Sequence, residues 1–220
     1  MKLTKDTLSI FKNFGTINPN LILKPGSDLS TITVGKNIIA KAVVTEEFPI
    51  EFGIYDVNEF LGAMSLFEDP ELVFTEKFVT IKENSNSVKY YAAASSVLTA
   101  VPNVKPFPPA DITFNMTAGN LSQILKVSSI LRVPDFSIVG DGTNVAVLVS
   151  DKGNSTGNTF DAVIGETDKK FKINFKVENL KMLPGDYEVA IGAKKISRFS
   201  SKTQNLTYYV ALELDSTFDF

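Results

Sequence analysis

Along residues 4–14, T-K-D-T-L-S-I-F-K-N-F, the apolar side chains recur at helical spacing. At about 100° per residue Leu3, Thr7, Leu8, Ile10, Phe11 and Phe14 share one face, and Lys2, Lys5, Ser9, Lys12 and Asn13 share the other. The pattern predicts a helix with a buried back and lysines on its open side. A solvated lysine face is the ordinary reading of such a helix; what gives this one weight is that it returns half a chain later. Thr4, Leu8, Phe11 and Phe14 correspond to Thr117, Leu121, Ile124 and Val127 at a constant offset of 113. A helix over 117–131 is predicted there, with Leu121, Ile124, Leu125, Val127, Ser128 and Leu131 inward and Ser122, Lys126 and Ser129 outward.

Asp56 followed by Glu59 reads as an N-cap with a capping-box partner. It opens a helix over 57–67 that places Val57, Phe60, Leu61, Met64 and Phe67 on one side. Gly62 and Ala63 thin its surface for close packing. Tyr55, Val57 and Phe60 correspond to Phe175, Val177 and Leu180 at an offset of 120, so the second half is expected to repeat this helix as well. Alternating or β-branched runs predict hairpin-linked strands at 21–24, 29–34 and 38–45, and further strands at 50–55, 71–75, 78–82 and 88–92. Second-half strands are predicted at 112–116, 136–139, 145–150, 159–165, 171–177, 187–192, 196–199 and 206–212. The repeat implies two similar domains, 1–100 and 111–220. Between them the connector 101–110 holds Pro102, Pro106, Pro108 and Pro109, which bar helix and ladder alike. Val101, Val104, Phe107 and Pro108 either pack down onto the domains or line, with a domain surface, a groove for a partner's peptide.

The 220 residues suffice for two cores. Cysteine and histidine are both absent, which removes disulfides, thiolate metal sites and Ser-His or Cys-His nucleophile pairs. Asp56 with Glu59, or Asp215 with Asp219, could formally serve acid-base or metal chemistry. With the first pair placed as a helix cap, no catalytic, metal or cofactor site is assigned and no enzyme is expected. The net charge is −3, so any grip on nucleic acid must come from where lysines sit and not from bulk attraction. No apolar run approaches the roughly 20 residues that span a bilayer, and the start lacks an apolar signal core; a soluble cytoplasmic protein without a membrane partner is expected.

Several blocks resemble one family. M-K-L-T-K-D-T at the start, L-K-P-G at 23–26, I-Y-D-V-N-E-F-L-G-A-M-S-L at 54–66 and V-P-N-V-K-P-F-P-P-A at 101–110 are similar to the DNA polymerase sliding clamps of T-even-type bacteriophages. So are L-S-Q-I-L-K-V-S at 121–128, N-L-K-M-L-P-G-D-Y at 179–187 and Y-V-A-L-E-L-D-S-T-F-D-F at the end, all in the family's order. The resemblance implies an α+β DNA-clamp fold: two similar domains, each with curved antiparallel sheets outside and two helices inside, in a homotrimeric pseudo-sixfold ring around duplex DNA. It turns the lysine faces toward the hole, which assigns Lys5, Lys12 and Lys126 to DNA, with Lys2, Arg132, Lys176 and Lys181 behind them. The helix from Val57 departs from that plan, since it carries Asp56 and Glu59 and no lysine. A subunit boundary is expected between Tyr90 and Tyr91 of one chain and Phe160, Ala162 and Ile164 of the next. Implied partners are the C-terminal peptide of the phage replicative polymerase, a separate ATP-driven clamp loader and late transcription factors, in the cytoplasm of the infected bacterium. No P-loop motif is present, so the loader's ATPase must lie elsewhere. The alternative from composition alone is a β-rich, non-enzymatic structural protein of the virion.

Overall fold

The first helix, α1 (Lys5–Ile17), starts where the Thr4 hydroxyl accepts the Thr7 N–H at 3.2 Å, and stops at extended Asn18, just before Pro19. This computed structural model describes residues 1–103, 106–192 and 195–219. The chain divides into two compact units, Met1–Val104 and Lys105–Phe220.

In the first unit α1 buries Ile10, Phe11, Phe14 and Ile17. Asn13, expected on the open face, is buried too. The helix runs past Phe14 to Ile17, and Asn13 lies one turn before Ile17, which draws it to the inner side. Phe11 sits 6.2 Å from Phe48 and 6.0 Å from Phe60 of α2 (Val57–Met64). The close approach of the two helices is at Gly15, where a Cβ would stand 3.2 Å from Val57 Cγ1; Gly62, assigned that part by sequence, is exposed and meets nothing. α2 ends earlier than expected. Ser65 turns its hydroxyl back onto the Gly62 carbonyl at 2.7 Å and the next residue, Leu66, is exposed, so the apolar face has run out.

Strand β1 (Leu21–Leu23) pairs with β4 (Phe52–Ile54), not with its sequence neighbour β2 (Gly26–Ile32). Pro25 has no N–H for a hairpin ladder, and Gly26 at φ +104° turns the chain away. β2 instead forms a hairpin with β3 (Ile38–Phe48), whose alternate residues Ala42, Val44, Glu46 and Phe48 face inward. β5 (Glu71–Phe74), β6 (Phe78–Glu83) and β7 (Asn86–Tyr91) form an antiparallel sheet in chain order.

The second unit opens with β8 (Ile112–Met116) and α3 (Ala118–Leu131), capped by a reciprocal Thr117–Asn120 box. One antiparallel sheet runs β11 (Phe160–Glu166), β10 (Asn144–Ser150), β9 (Asp135–Asp141), β12 (Lys170–Lys176), β16 (Thr217–Phe218). In the other, β8, β13 (Tyr187–Gly192), β14 (Ile196–Ser201) and β15 (Leu206–Ala211) are neighbours in that order. β16 is only two residues long, too short to leave a period in the sequence. Phe136 stacks on Phe175 at 4.8 Å, and Phe175 meets Phe199 at 6.2 Å, to centre the core. The expected second helix is absent: Val177–Asn179 makes a single 3₁₀ turn without a side-chain cap. The residue in the capping position is Lys176, which offers no acceptor, and Pro184 lies too close downstream for a helix of useful length.

Candidate nucleic-acid interface

Lys5 and Lys12 stand exposed on α1, and Lys126 on α3. None of the three forms an ion pair among the described residues. Lys5 and Lys12 border an open groove of about 590 Å³ between α1 and α2, floored by Leu8, Leu61, Met64 and Phe67. Lys126 borders a second open hollow of about 620 Å³ with Ser122, Gln123 and Ile130.

The four secondary candidates are placed differently. Lys2 donates to Asp69 on the surface, a contact that holds its ammonium above the ordinary range. Lys176 is committed to Asp135, a carboxylate that is 1% exposed, at 2.6 Å. That hydrogen bond outweighs burial and raises the Lys176 pKa, while the other Asp135 oxygen accepts the Lys152 N–H at 3.0 Å. Asp135 on β9 therefore holds both the end of β12, through Lys176, and the loop after β10, through Lys152. Arg132 is the C-cap of α3 in the left-handed region (φ 55°), a cationic residue at the negative end of the helix dipole. Lys181 is exposed beyond the 3₁₀ turn.

Two side chains with no local signal fix the lysine-bearing helices. Glu46 on β3 is buried and accepts the Thr4 N–H and the Thr7 hydroxyl. Burial pushes its carboxyl up, but these hydrogen bonds prevail and hold it below the usual carboxylate range. Asp186 accepts the Ala118 N–H at 2.7 Å. Both contacts join residues far apart in sequence, so only the fold reveals them. Asp56 caps α2 as expected, accepting the Asn58 and Glu59 N–H groups at 2.8 and 3.2 Å. The backbone of Asp56 is met by the Tyr90 hydroxyl, which accepts its N–H at 3.4 Å and donates to its carbonyl at 3.2 Å. Among the described residues no group of three acidic side chains converges as a metal site, and no helix is long and apolar enough to cross a membrane.

Of the connector residues, Val104 lies outside the described residues. Val101 borders a cleft of about 30 Å³ in the first unit, room for about one water. Phe107 packs on Tyr209 at 6.2 Å and under the Arg198 guanidinium at 5.0 Å, and Pro108 lies against Gly192, both on the second unit's sheet. Phe107 and Pro108 thus both pack on the second unit's sheet, and Val101 lines a cleft of the first unit.

The remaining candidates lie on sheet edges. Among the described residues β7 pairs only with β6, and β11 only with β10. Tyr91 is 68% exposed, whereas Tyr90 turns inward with its ring 5.3 Å from Phe60. On β11, Phe160, Ala162 and Ile164 are half-buried on one face and Val163 is 65% exposed on the other.

Comparison with known proteins follows the same division of the chain. Residues 4–100 match the family model described as DNA polymerase processivity factor, and residues 113–214 the one described as gp45 sliding clamp, C terminal. The sliding clamp of Vibrio phage KVP40 is 33% identical, covering 97% of this chain and 99% of that protein. That of Enterobacteria phage T4 is 32% identical with both chains covered in full. Among solved structures, proliferating cellular nuclear antigen from Entamoeba histolytica superposes with a TM-score of 0.71 at 12% identity, covering 94% of this chain and 95% of the other. A. fulgidus PCNA, in a structure with the C-terminal region of FEN-1, gives 0.70 at 13% identity over 96% of each chain. The beta subunit of Pseudomonas aeruginosa DNA polymerase III gives 0.70 at 12% identity, covering all of this chain and 66% of the other. These likenesses establish the DNA-clamp fold, with its antiparallel sheets and helices, and the chain belongs to the phage sliding-clamp family of DNA polymerase processivity factors.

Proposed function

We propose that three copies of this chain close into a ring around duplex DNA and tether the phage replicative polymerase to it. The observation that carries the reading is an acidic chain whose helix faces nevertheless present Lys5, Lys12 and Lys126 without acidic partners. Enclosure makes tight binding unnecessary, and a few lysines within a Debye length, about 8 Å at physiological salt, suffice to centre the duplex. The acidic balance elsewhere keeps DNA off the outer surface. Each unit also offers an edge strand, β7 and β11, whose head-to-tail pairing between copies closes a ring and leaves neither edge exposed. The partner's C-terminal peptide docks beside Phe107 and Pro108, an ATP-driven loader opens the ring, and late transcription factors use the same clamp in the host cytoplasm. The C-terminal region of FEN-1 is bound to PCNA in the A. fulgidus structure of the same fold, which supports this mode of recruitment. The virion-structural alternative rests on strand content and acidic balance alone, which the sliding-clamp reading accommodates equally.

The test is Lys5→Glu with Lys12→Glu. Loading by the cognate loader and processive synthesis on long templates should fall at least tenfold, while solution mass stays near three protomers of 24.1 kDa. Unchanged processivity would remove α1 from the DNA-facing wall, and a monomeric wild type would remove the ring.

A further inference from the structure

Among the described residues a single buried side-chain nitrogen or oxygen has no hydrogen-bond partner: Nε of Arg198, on β14. Buried N–H groups are rarely left so, because the hydration they lose is then not replaced. Arg198 shares a row with Ala190 of β13 and Tyr209 of β15, on the sheet face opposite buried Phe199 and Tyr208. Phe107 of the connector lies against that row, 5.0 Å under the guanidinium and 6.2 Å from Tyr209. A surface arginine ordinarily carries its head into water. Here the side chain is only 33% exposed and is held over an aromatic ring, and its acidic neighbour, Glu188, stands 3.6 Å away, beyond hydrogen-bond reach. The fold thus holds a cation beside the connector while leaving its hydrogen-bonding capacity largely unused.

We infer that Arg198 is a specificity-determining residue for the docked peptide: its guanidinium takes the α-carboxylate at the peptide's C-terminus, while the apolar side chains before it pack on Phe107, Pro108 and Tyr209. The inference rests on the reading that a partner's C-terminal peptide docks beside Phe107 and Pro108. Every such peptide carries that carboxylate whatever its sequence, and a guanidinium presents the planar fork of donors that a carboxylate matches. Because Phe107 already holds the arginine, little side-chain freedom is left to lose when the anion arrives. Glu188 opposes the capture. It is 57% exposed on the neighbouring strand, and its charge repels a second carboxylate at the same guanidinium.

The probe is a synthetic peptide carrying the C-terminal residues of the cognate polymerase, made once as the free acid and once as the C-terminal amide. Each is titrated into the assembled full-length protein and followed by fluorescence anisotropy. The acid should bind the wild type about tenfold more tightly than the amide. Arg198→Gln should weaken the acid alone and so erase the difference, and Glu188→Gln should tighten the acid about two- to fivefold. Equal binding of acid and amide to the wild type would overturn the inference and leave the docking reading standing; this arm needs no variant to fold. An Arg198→Gln loss shared equally by acid and amide would also overturn it, giving the arginine to an acidic side chain of the peptide or to the seating of Phe107. Binding of neither form to the wild type would remove the docking reading, and this inference with it.

Discussion

The two units start alike and part at one residue. Both pair a Thr-capped helix with antiparallel sheets, and both then reach a segment whose apolar positions match at an offset of 120. In the first unit that segment begins at Asp56, whose carboxylate takes two N–H groups and starts α2. In the second the equivalent position is Lys176, and the chain makes one 3₁₀ turn. A lysine cannot accept the orphan N–H groups of a helix start, so nucleation fails where the apolar pattern alone would permit it. The second unit uses that lysine differently, as the partner of buried Asp135. Two similar hydrophobic patterns thus give a helix in one case and a turn in the other, and the polar residue at the boundary decides.

The strongest way to break the comparison is in the cores. Phe11 in the first unit rests on both a strand and a second helix, whereas its counterpart Ile124 has no second helix to hold. Phe11→Ala should cost about 4 kcal/mol and Ile124→Ala about 3 kcal/mol. Hydrogen exchange after each substitution should show only the substituted unit opening more easily. Equal opening of both units in either variant would mean that they unfold as one body.

A smaller change tests the boundary residue itself. Asp56→Lys gives the first unit the second unit's residue, removing a cap worth about 1 kcal/mol and adding a like charge at the dipole end worth about 0.5 kcal/mol. Exchange at the Asn58 and Glu59 amides should rise roughly tenfold. If those amides are unmoved, the cap is not what separates the units, and the closeness of Pro184 to Val177 is.

What could be read in the sequence follows the same physics. α1 and α3, with Thr4 and Thr117 at their heads, were legible because cap and apolar period agree locally. β8 and β13 were legible to the residue, as short β-rich runs between clear breaks. The 3₁₀ turn was not, because its apolar positions match those of α2 and only the polar residue at its head, Lys176, sets the two apart. The partnering of β1 with β4, and the seats of Glu46, Asp135 and Asp186, depend on residues brought together from far along the chain. Lys176 shows the cost: as a charge on a matched segment it looked available to DNA, and only its neighbour Asp135 shows that it is occupied.

The smallest effect appears only at the ends of the pH range, and it again separates the units. Glu46 in the first unit has a folded pKa below its ordinary 4.5, so its contribution is present above that value and is lost as pH falls through the folded one. Tyr187 in the second unit is pushed by burial from 10.0 up to about 12, and Tyr208 beside it is raised as well. Their neutral phenols, which hold the Leu183 backbone, favour the folded state, so this stability is present below pH 10 and is lost as pH rises toward 12. Acid should therefore loosen the first unit at the α1–β3 contact, and alkali the second at the loop before β13. Glu46→Gln should flatten the acid side of the first unit's exchange profile, and Tyr187→Phe the alkaline side of the second's. A Tyr187→Phe profile still as steep above pH 10 as the wild type would move the alkaline loss to Tyr208, or to Lys176, whose ion pair is lost only as pH rises through a folded pKa held above 10.5.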